Sequence, residues 1–333
     1  MIYFPAEEFS GSTSDGANVG ADYLELKAML SFDCMALRKD IEEALELGGD
    51  EVADEESVDH YESIATGAIN RIYERRVILG PEYPFDLDSA GDAIWFTMDE
   101  GNLGHATYAL SLVLSNLPAI TPILSGSIEC PSNREIIRFR EDFQYLATAA
   151  LAAEVGGPAW SFGFPRLDKS GFHTKLREVW SSVRDGTVNA HQSAPGDPKD
   201  DGVDVFAART WNDGLPGFLL LAAQVATGKG WKEKSVKSQV RDVFTKRWFS
   251  PEPATDIIPY HVIPFARGDV EFRDDVVVLG NLLHRLRLPI RVKEASGLRN
   301  KGVTIEGFER VEKIAEEVMK YIQRVRSEQE GIG

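Results

Sequence analysis

The stretch DDGVDVFAARTWNDGLPGFLLLAAQVATG, residues 200–228, decides the fold because two apolar runs in it flank a short turn-forming segment. The first run, residues 203–207, carries Asp204, and the second, residues 218–223, is followed directly by Gln224. Between them lies NDGLPG, whose Asn, Asp, Gly and Pro residues are typical of a tight turn. The pattern predicts a β-hairpin that brings Asp204 and Gln224 onto neighbouring strands.

An aspartate in an apolar strand needs a partner or a cation, because burying an unpaired carboxylate costs on the order of several kcal/mol. A hard cation such as Mg²⁺ meets that need with carboxylate oxygens, backbone carbonyls and water. Gln224 offers a neutral side chain and Val225 a backbone carbonyl. The alternative is structural: Asp204 would pair with an arginine such as Arg166, and Gln224 would satisfy buried backbone groups.

The segments around the hairpin alternate between helical and strand-like patterns, which predicts an α/β (α+β) fold with a mixed central sheet flanked by helices. Helices are predicted over 134–157, 171–184, 232–249 and 305–330, and strand-like runs over 158–166, 257–265 and 274–280. The segment 125–133, SGSIECPSN, is rich in small and turn-forming residues. The sequence therefore predicts a mainly helical N-terminal domain, residues 1–125, and a second domain, residues 126–333.

The charge is distributed unevenly. The net charge is −17, and residues 1–100 hold 24 acidic and 6 basic residues, so the remainder is almost neutral. Two stretches are locally basic: 229–247 has seven Lys/Arg against two acids, and 284–301 has six against one. Such stretches are common on solvated helix faces, but Lys and Arg at a groove also supply non-specific nucleic-acid affinity. The acidic N-terminal part is either an ordinary helical domain or a shield for the basic segments.

Four features follow one another in this part of the chain. They are a helix with an acid near its middle, GVD in one strand, a glutamine at the end of the adjacent strand, and a basic helix. Over roughly residues 134–290 the chain resembles the restriction-endonuclease-like PD-(D/E)xK superfamily, and most of all its Mrr-like branch, where glutamine replaces the second acid. The resemblance implies a Mg²⁺- or Mn²⁺-dependent nuclease that hydrolyses DNA phosphodiester bonds, of a kind found in bacterial defence against phage or foreign DNA.

The resemblance also implies roles for individual residues. Asp204, Glu141 and the Val225 carbonyl would hold the metal, Gln224 would complete the site, and Lys229 or Lys232 would position the attacking water. The candidate contacts with nucleic acid are basic residues of the two basic stretches: Lys234, Lys237, Arg241, Arg285 and Arg287.

Two positions depart from the family pattern. Position 226, where the family motif has lysine, is alanine, and position 144, where the family often has glutamate, is glutamine. Glu141 lies one turn before Gln144 and would share its helix face. These departures keep a second hypothesis open, in which the chain is a catalytically degenerate nuclease-fold subunit that binds nucleic acid or scaffolds a defence complex.

The remaining features favour a cytoplasmic protein. Cys34 and Cys130 show no disulfide or zinc-type spacing. The N-terminus lacks the pattern of a signal peptide, and the most apolar helical window, 106–118, is too short to cross a bilayer. The expected partners are DNA and a protein of a defence complex, with homo-oligomers left open and no membrane involved.

Overall fold

The computed structural model describes residues 16–48, 55–124, 131–196, 198–228, 230–233 and 236–330. The elements of the N-terminal part are helix α1 (Gly16–Leu30), strand β1 (Met35–Leu37), helices α2 (Lys39–Gly48) and α3 (Glu55–Leu79), a 3₁₀ turn (Gly80–Glu82), strands β2 (Phe85–Leu87) and β3 (Ala93–Phe96), and helices α4 (Leu103–Ser115) and α5 (Leu117–Ile123). The three strands form a small antiparallel sheet in the order β1-β3-β2. The N-terminal part is therefore mainly helical.

The C-terminal part contains the larger sheet and the helices that cover it. Its elements are α6 (Asn133–Val155), β4 (Ala159–Ser161), α7 (Phe172–Val183), β5 (Val205–Arg209), β6 (Leu219–Val225), a 3₁₀ turn (Trp231–Glu233), α8 (Val236–Ser238), a π-helical segment (Gln239–Phe244), α9 (Thr245–Trp248), β7 (Ile257–Val262), α10 (Asp269–Leu279), β8 (Asn281–Leu283), α11 (Leu288–Asn300) and α12 (Phe308–Glu330).

The larger sheet is mixed. Its order is β4-β5-β6-β7-β8, where β4, β5 and β6 pair antiparallel and β7 and β8 continue in parallel. Successive residues of β5 face opposite sides, as the two-residue period of a strand requires. Val205 belongs to the core cluster with α6, whereas Phe206 belongs to the cluster with Trp180 and Phe244. The predicted mixed sheet, covered by helices on both faces, is confirmed.

Helix α6 shows how local sequence sets an element next to the site. Ser132 and Glu135 form a capping box at its start, in which each side chain accepts from the other residue's backbone N–H. Gly156 ends the helix with φ +67°, a left-handed conformation that glycine adopts without steric cost. The predicted helix over 134–157 is confirmed because both of its ends are encoded locally.

The largest hydrophobic cluster contains residues from both sides of the predicted boundary. Leu24 and Leu112 from the N-terminal part belong to the same cluster as Phe143 of α6 and Val318 of α12. The predicted boundary between residues 125 and 126 lies within residues 125–130, which are outside the described residues. The two-domain organisation stays a prediction.

One strand prediction was wrong. Residues 274–279 form the second half of helix α10, Gly280 follows its end, and the sheet gains its last strand from residues 281–283 instead. Val277 and Val278 are exposed on that helix, so the β-preference of the valine run is outweighed by the helical context. Among the described helices, none alone has the length and apolar composition of a membrane span; α4 and α5 pass that test only as a pair, bent by 87°.

Candidate active site at the β5–β6 strand ends

Asp204 sits immediately before β5, where the backbones of three strands meet. Its N–H donates to the Ala223 carbonyl of β6 (2.8 Å), and its carbonyl accepts from the N–H groups of Phe162 (2.7 Å) and Gly163 (2.8 Å). These bonds fix the main chain of Asp204 between β6 and the segment that follows β4. Because the backbone is tied on both sides, the carboxylate has a defined position with 9% of the residue exposed.

The predicted proximity of Asp204 and Gln224 is confirmed. Val205 pairs with Ala223 in the antiparallel register, so the next position places Asp204 opposite Gln224. Asp204 Oδ2 accepts hydrogen bonds from the Val225 backbone N–H (2.8 Å) and from the Gln224 side-chain amide (3.3 Å). These two bonds orient the Oδ2 side of the carboxylate towards β6.

The other carboxylate oxygen faces a glycine and a second amide. A Cβ atom on Gly163 would lie 2.6 Å from Asp204 Oδ1 and 2.8 Å from Gln144 Oε1, closer than real Cβ atoms approach their neighbours. Gln144 of α6 is held there because its Nε2 donates to Ser161 Oγ in β4 (2.7 Å). The space left by the missing side chain at Gly163 is therefore shared by the Asp204 carboxylate and the Gln144 amide.

Helix α6 presents Gln144, rather than an acid, to this space. Glu141 lies one turn earlier and is exposed. The adjacent Asp142 is buried and pairs with Arg310 of α12, so it ties two helices together. The metal-ligand role of Glu141 stays a prediction, and the residue of α6 that lies beside Asp204 is Gln144.

A charged pair that the sequence interpretation missed lies behind Gln144. The Ser161 N–H donates to Glu306 Oε2 (3.1 Å), and Glu306 Oε1 accepts from Lys175 Nζ (2.8 Å). Burial raises the pKa of Glu306 above its ordinary value, although Lys175 opposes that shift. Glu306 and Lys175 are more than 100 residues apart in the sequence, so only the tertiary structure could reveal this pair.

The candidate lysines follow β6. Lys229 lies outside the described residues. Lys232 is exposed, and its Nζ pairs with Asp275 Oδ1 of α10 (3.2 Å) and lies 5.4 Å from the Trp231 ring centre. Ala226, where the resemblance led us to expect a lysine, is buried in a small apolar cluster with Trp231. On the far side of Gln224, the buried His261 of β7 occupies the neighbouring register position.

Two of the five candidate nucleic-acid contacts, Lys237 and Arg287, have exposed side chains. Lys237 is exposed with its Nζ donating to the Val277 carbonyl (3.1 Å), and Arg287 is exposed with its guanidinium 4.4 Å from the Phe272 ring centre. Both side chains are accessible, and their contact with nucleic acid stays a prediction. Lys234 and the side chain of Arg241 lie outside the described residues.

The prediction for Arg285 was wrong. The residue is completely buried, and its Nη2 lies 2.5 Å from Asp22 Oδ1 of α1, while Nη1 donates to Ser115 Oγ of α4 (3.1 Å). A guanidinium enclosed in this way has no access to a phosphate group. Local sequence showed a basic stretch, but it could not show that α1 supplies a buried acid for this arginine.

The oxygen donors at Asp204 decide whether a divalent cation could bind there. Mg²⁺ usually keeps several waters and is bound by one or two carboxylates together with substrate phosphates. Here Asp204 Oδ1 and the Gln144 amide share the space at Gly163, so the site offers one carboxylate and neutral oxygens. Within the described ranges, no group of three or more His, Cys, Asp and Glu side chains is arranged to hold a metal.

Comparison of the chain with models of protein families, with curated proteins and with solved structures finds no match in any of the three.

Proposed function

We propose that this protein is a Mg²⁺- or Mn²⁺-dependent nuclease that hydrolyses phosphodiester bonds in DNA. The observation that carries the proposal is the meeting of Asp204, Gln224 and Gln144 at the ends of β5 and β6, around the space at Gly163. The series of α6, β4, the β5–β6 hairpin, the basic segment and β7 also follows the order on which the resemblance to the PD-(D/E)xK superfamily rests.

Each of these residues has a definite task under this proposal. Asp204 would hold the cation through its carboxylate, which the Val225 N–H and the Gln224 amide orient at Oδ2. Gln144, fixed by Ser161, would contribute a neutral oxygen beside it. A bound divalent ion would supply Lewis-acid stabilisation of the phosphoryl oxygens and a low-pKa water.

The lysine that would position the attacking water is Lys229 or Lys232. Lys232 pairs with Asp275 but is exposed. Asp275 is buried and also pairs with Arg267 (2.7 Å), so it keeps a cationic partner if Lys232 turns towards a substrate phosphate. Lysine's long, flexible stem suits such a movement.

The test is cleavage of supercoiled plasmid by the purified full-length chain with Mg²⁺. Asp204→Asn keeps the shape of the side chain and removes its charge, and we expect it to lower the rate at least about 100-fold. Asp256→Asn, at an exposed aspartate before β7, is the matched control and should cut like wild type. Equal cutting by the Asp204→Asn variant and wild type would remove the catalytic assignment.

The second candidate function is that of a catalytically inactive subunit with the same arrangement of residues. Two positions that the family fills with charged residues are neutral here, Gln144 beside Asp204 and Ala226 in a buried apolar cluster. In that case the chain binds nucleic acid or scaffolds a complex. Calorimetry that detects no Mg²⁺ binding, together with DNA binding that weakens steeply with salt, would favour this candidate.

The biological setting follows from the resemblance alone. The superfamily's members in bacterial defence suggest that this chain acts against phage or foreign DNA in the cytoplasm, with a partner protein of the same defence complex. Phage plating on cells that carry wild type or the Asp204→Asn variant tests this setting: equal plaque counts on both would contradict it.

A further inference from the structure

An exposed aromatic side chain lies directly beside the candidate active site. Phe164 follows Gly163, whose missing Cβ makes room for the Asp204 carboxylate, and 55% of Phe164 is exposed. A phenylalanine ring in water loses the free energy that burial would give it, which is on the order of 1.5–3 kcal/mol. An exposed ring that follows Gly163 directly in the chain therefore calls for an explanation.

The segment that carries Phe164 is held firmly on both sides. The N–H groups of Phe162 and Gly163 both donate to the Asp204 carbonyl. The buried Arg166 donates to the carbonyls of Ser170 and Lys199, which joins this segment to the loop before β5. The backbone that carries Phe164 is therefore fixed. A ligand that stacks on the ring causes little further loss of backbone conformational entropy.

A lysine accompanies the ring. Lys199 is exposed, and its Nζ lies 5.7 Å from the centre of the Phe164 ring. Lys199 also lies only five positions before Asp204 in the chain. The ammonium group lies over one face of the ring, which matches the two parts of a nucleotide, because a base can stack on the other face while its phosphate pairs with the cation.

We propose that Phe164 stacks on an unpaired base next to the scissile phosphate and that Lys199 contacts the adjoining phosphate. The substrate class is then single-stranded or locally opened DNA. A base inside a duplex is already stacked on both faces, and taking it out costs on the order of a few kcal/mol. This inference rests on the proposed nuclease function, because it assigns the reacting phosphate to Asp204.

The experiment measures binding without cleavage, by the full-length chain in EDTA. The probes are one oligonucleotide as a single strand and as a duplex, each containing 2-aminopurine, whose fluorescence reports stacking. We expect tighter binding of the single strand, and about a 5- to 100-fold weaker single-strand affinity for Phe164→Ala. Phe164→Trp should retain the affinity. The fluorescence change on binding should disappear in Phe164→Ala.

Two further variants separate stacking from general effects. Phe32→Ala removes an equally large ring, 63% exposed, from the loop before β1 in the N-terminal part, and it should leave binding unchanged. Lys199→Ala should lower the slope of log affinity against log salt by about 0.7, the contribution of one phosphate contact on a single strand. Phe164→Ala should leave that slope unchanged, since stacking releases no counterion.

The outcomes distinguish this inference from the nuclease proposal. Unchanged single-strand affinity in Phe164→Ala, or an equal loss on the duplex, would overturn the stacking role even if the chain cuts DNA. Phe164-dependent binding of the single strand by a chain that cuts nothing would uphold stacking and remove the nuclease assignment.

Discussion

Asp22 and Asp204 are both buried aspartates, yet their surroundings differ. Asp22, 3% exposed, lies between the guanidinium groups of Arg75 (2.8 Å) and Arg285 (2.5 Å). Burial opposes ionisation of Asp22, but the two arginines outweigh it and hold the pKa of the carboxyl below its ordinary value. Asp204 instead accepts from the neutral N–H donors of Val225 and Gln224, and its Oδ1 faces the space at Gly163.

The difference separates a structural carboxylate from a candidate catalytic one. Opposite charges compensate Asp22 fully, so adding a cation there would displace an arginine. The N–H groups of Val225 and Gln224 orient the Asp204 carboxylate, and carboxylate oxygens are ligands that a divalent ion such as Mg²⁺ prefers. Substitutions in the surroundings of either aspartate test this contrast.

Removing an arginine that pairs with the buried Asp22 should have the largest effect on stability. Arg285→Met fills a similar volume but leaves Asp22 with one guanidinium fewer, and we expect a loss of about 3–5 kcal/mol in the free energy of unfolding. Arg299→Met, at an exposed position of α11, is the control and should stay within about 0.5 kcal/mol of wild type. Urea denaturation measures both, and a small loss in Arg285→Met would contradict the structural assignment.

Filling the space at Gly163 should damage the candidate site. In Gly163→Ala the new Cβ would press on Asp204 Oδ1 and on the Gln144 amide, and we expect a cost of about 1–3 kcal/mol from the forced shifts. Plasmid cleavage should fall at the same time. Gly196→Ala, where a Cβ would meet nothing within 4 Å, is the matched control. Full activity and stability in Gly163→Ala would show that the space is not needed.

Adding a charge at the site should strengthen metal binding. Gln144→Glu supplies a second carboxylate beside Asp204, and we expect Mg²⁺ to bind about tenfold more tightly, about 1.4 kcal/mol. The control is Gln323→Glu on the exposed side of α12. Calorimetric titration of both variants checks the effect, and unchanged Mg²⁺ affinity in Gln144→Glu would speak against a cation at Asp204.

The smallest expected effect is the pH dependence of stability that comes from His284, which is buried among arginines. Burial, together with Arg287, Arg285 and Arg267, lowers the pKa of His284 to about 3. The unfolded chain therefore binds a proton at His284 below about pH 6.5 while the folded chain does not, so stability falls as pH drops from about 6.5 towards 3.

His284→Gln should remove this contribution. One proton gives at most about 1.4 kcal/mol per pH unit, so the decline in unfolding free energy between about pH 6.5 and 5.5 should become shallower by about 1 kcal/mol. Denaturation at a series of pH values measures the slope, with His191→Gln at an exposed loop position as the control. Identical slopes for wild type and His284→Gln would contradict the neutral state of the buried imidazole.

Helix α6 and helix α10 show how far sequence could predict the fold. The ends of α6 are written in local signals, the Ser132–Glu135 capping box and Gly156, so its bounds were predictable. Helix α10 begins after Gly268 without a side-chain cap and ends in a valine run, so its sequence indicated a strand. Local preference was outweighed there by the packing of its partly buried face against β8 and Trp231's cluster.

For this protein, the sequence by itself determined the hairpin, the pairing of Asp204 with Gln224, and the class of the fold, because alternation and turn residues act over short distances. Only the tertiary structure decided which basic residue is buried, which side chain of α6 reaches Asp204, and where Phe164 is presented. Those outcomes depend on contacts such as Asp22 with Arg285, which join residues 263 positions apart, and no local pattern encodes them.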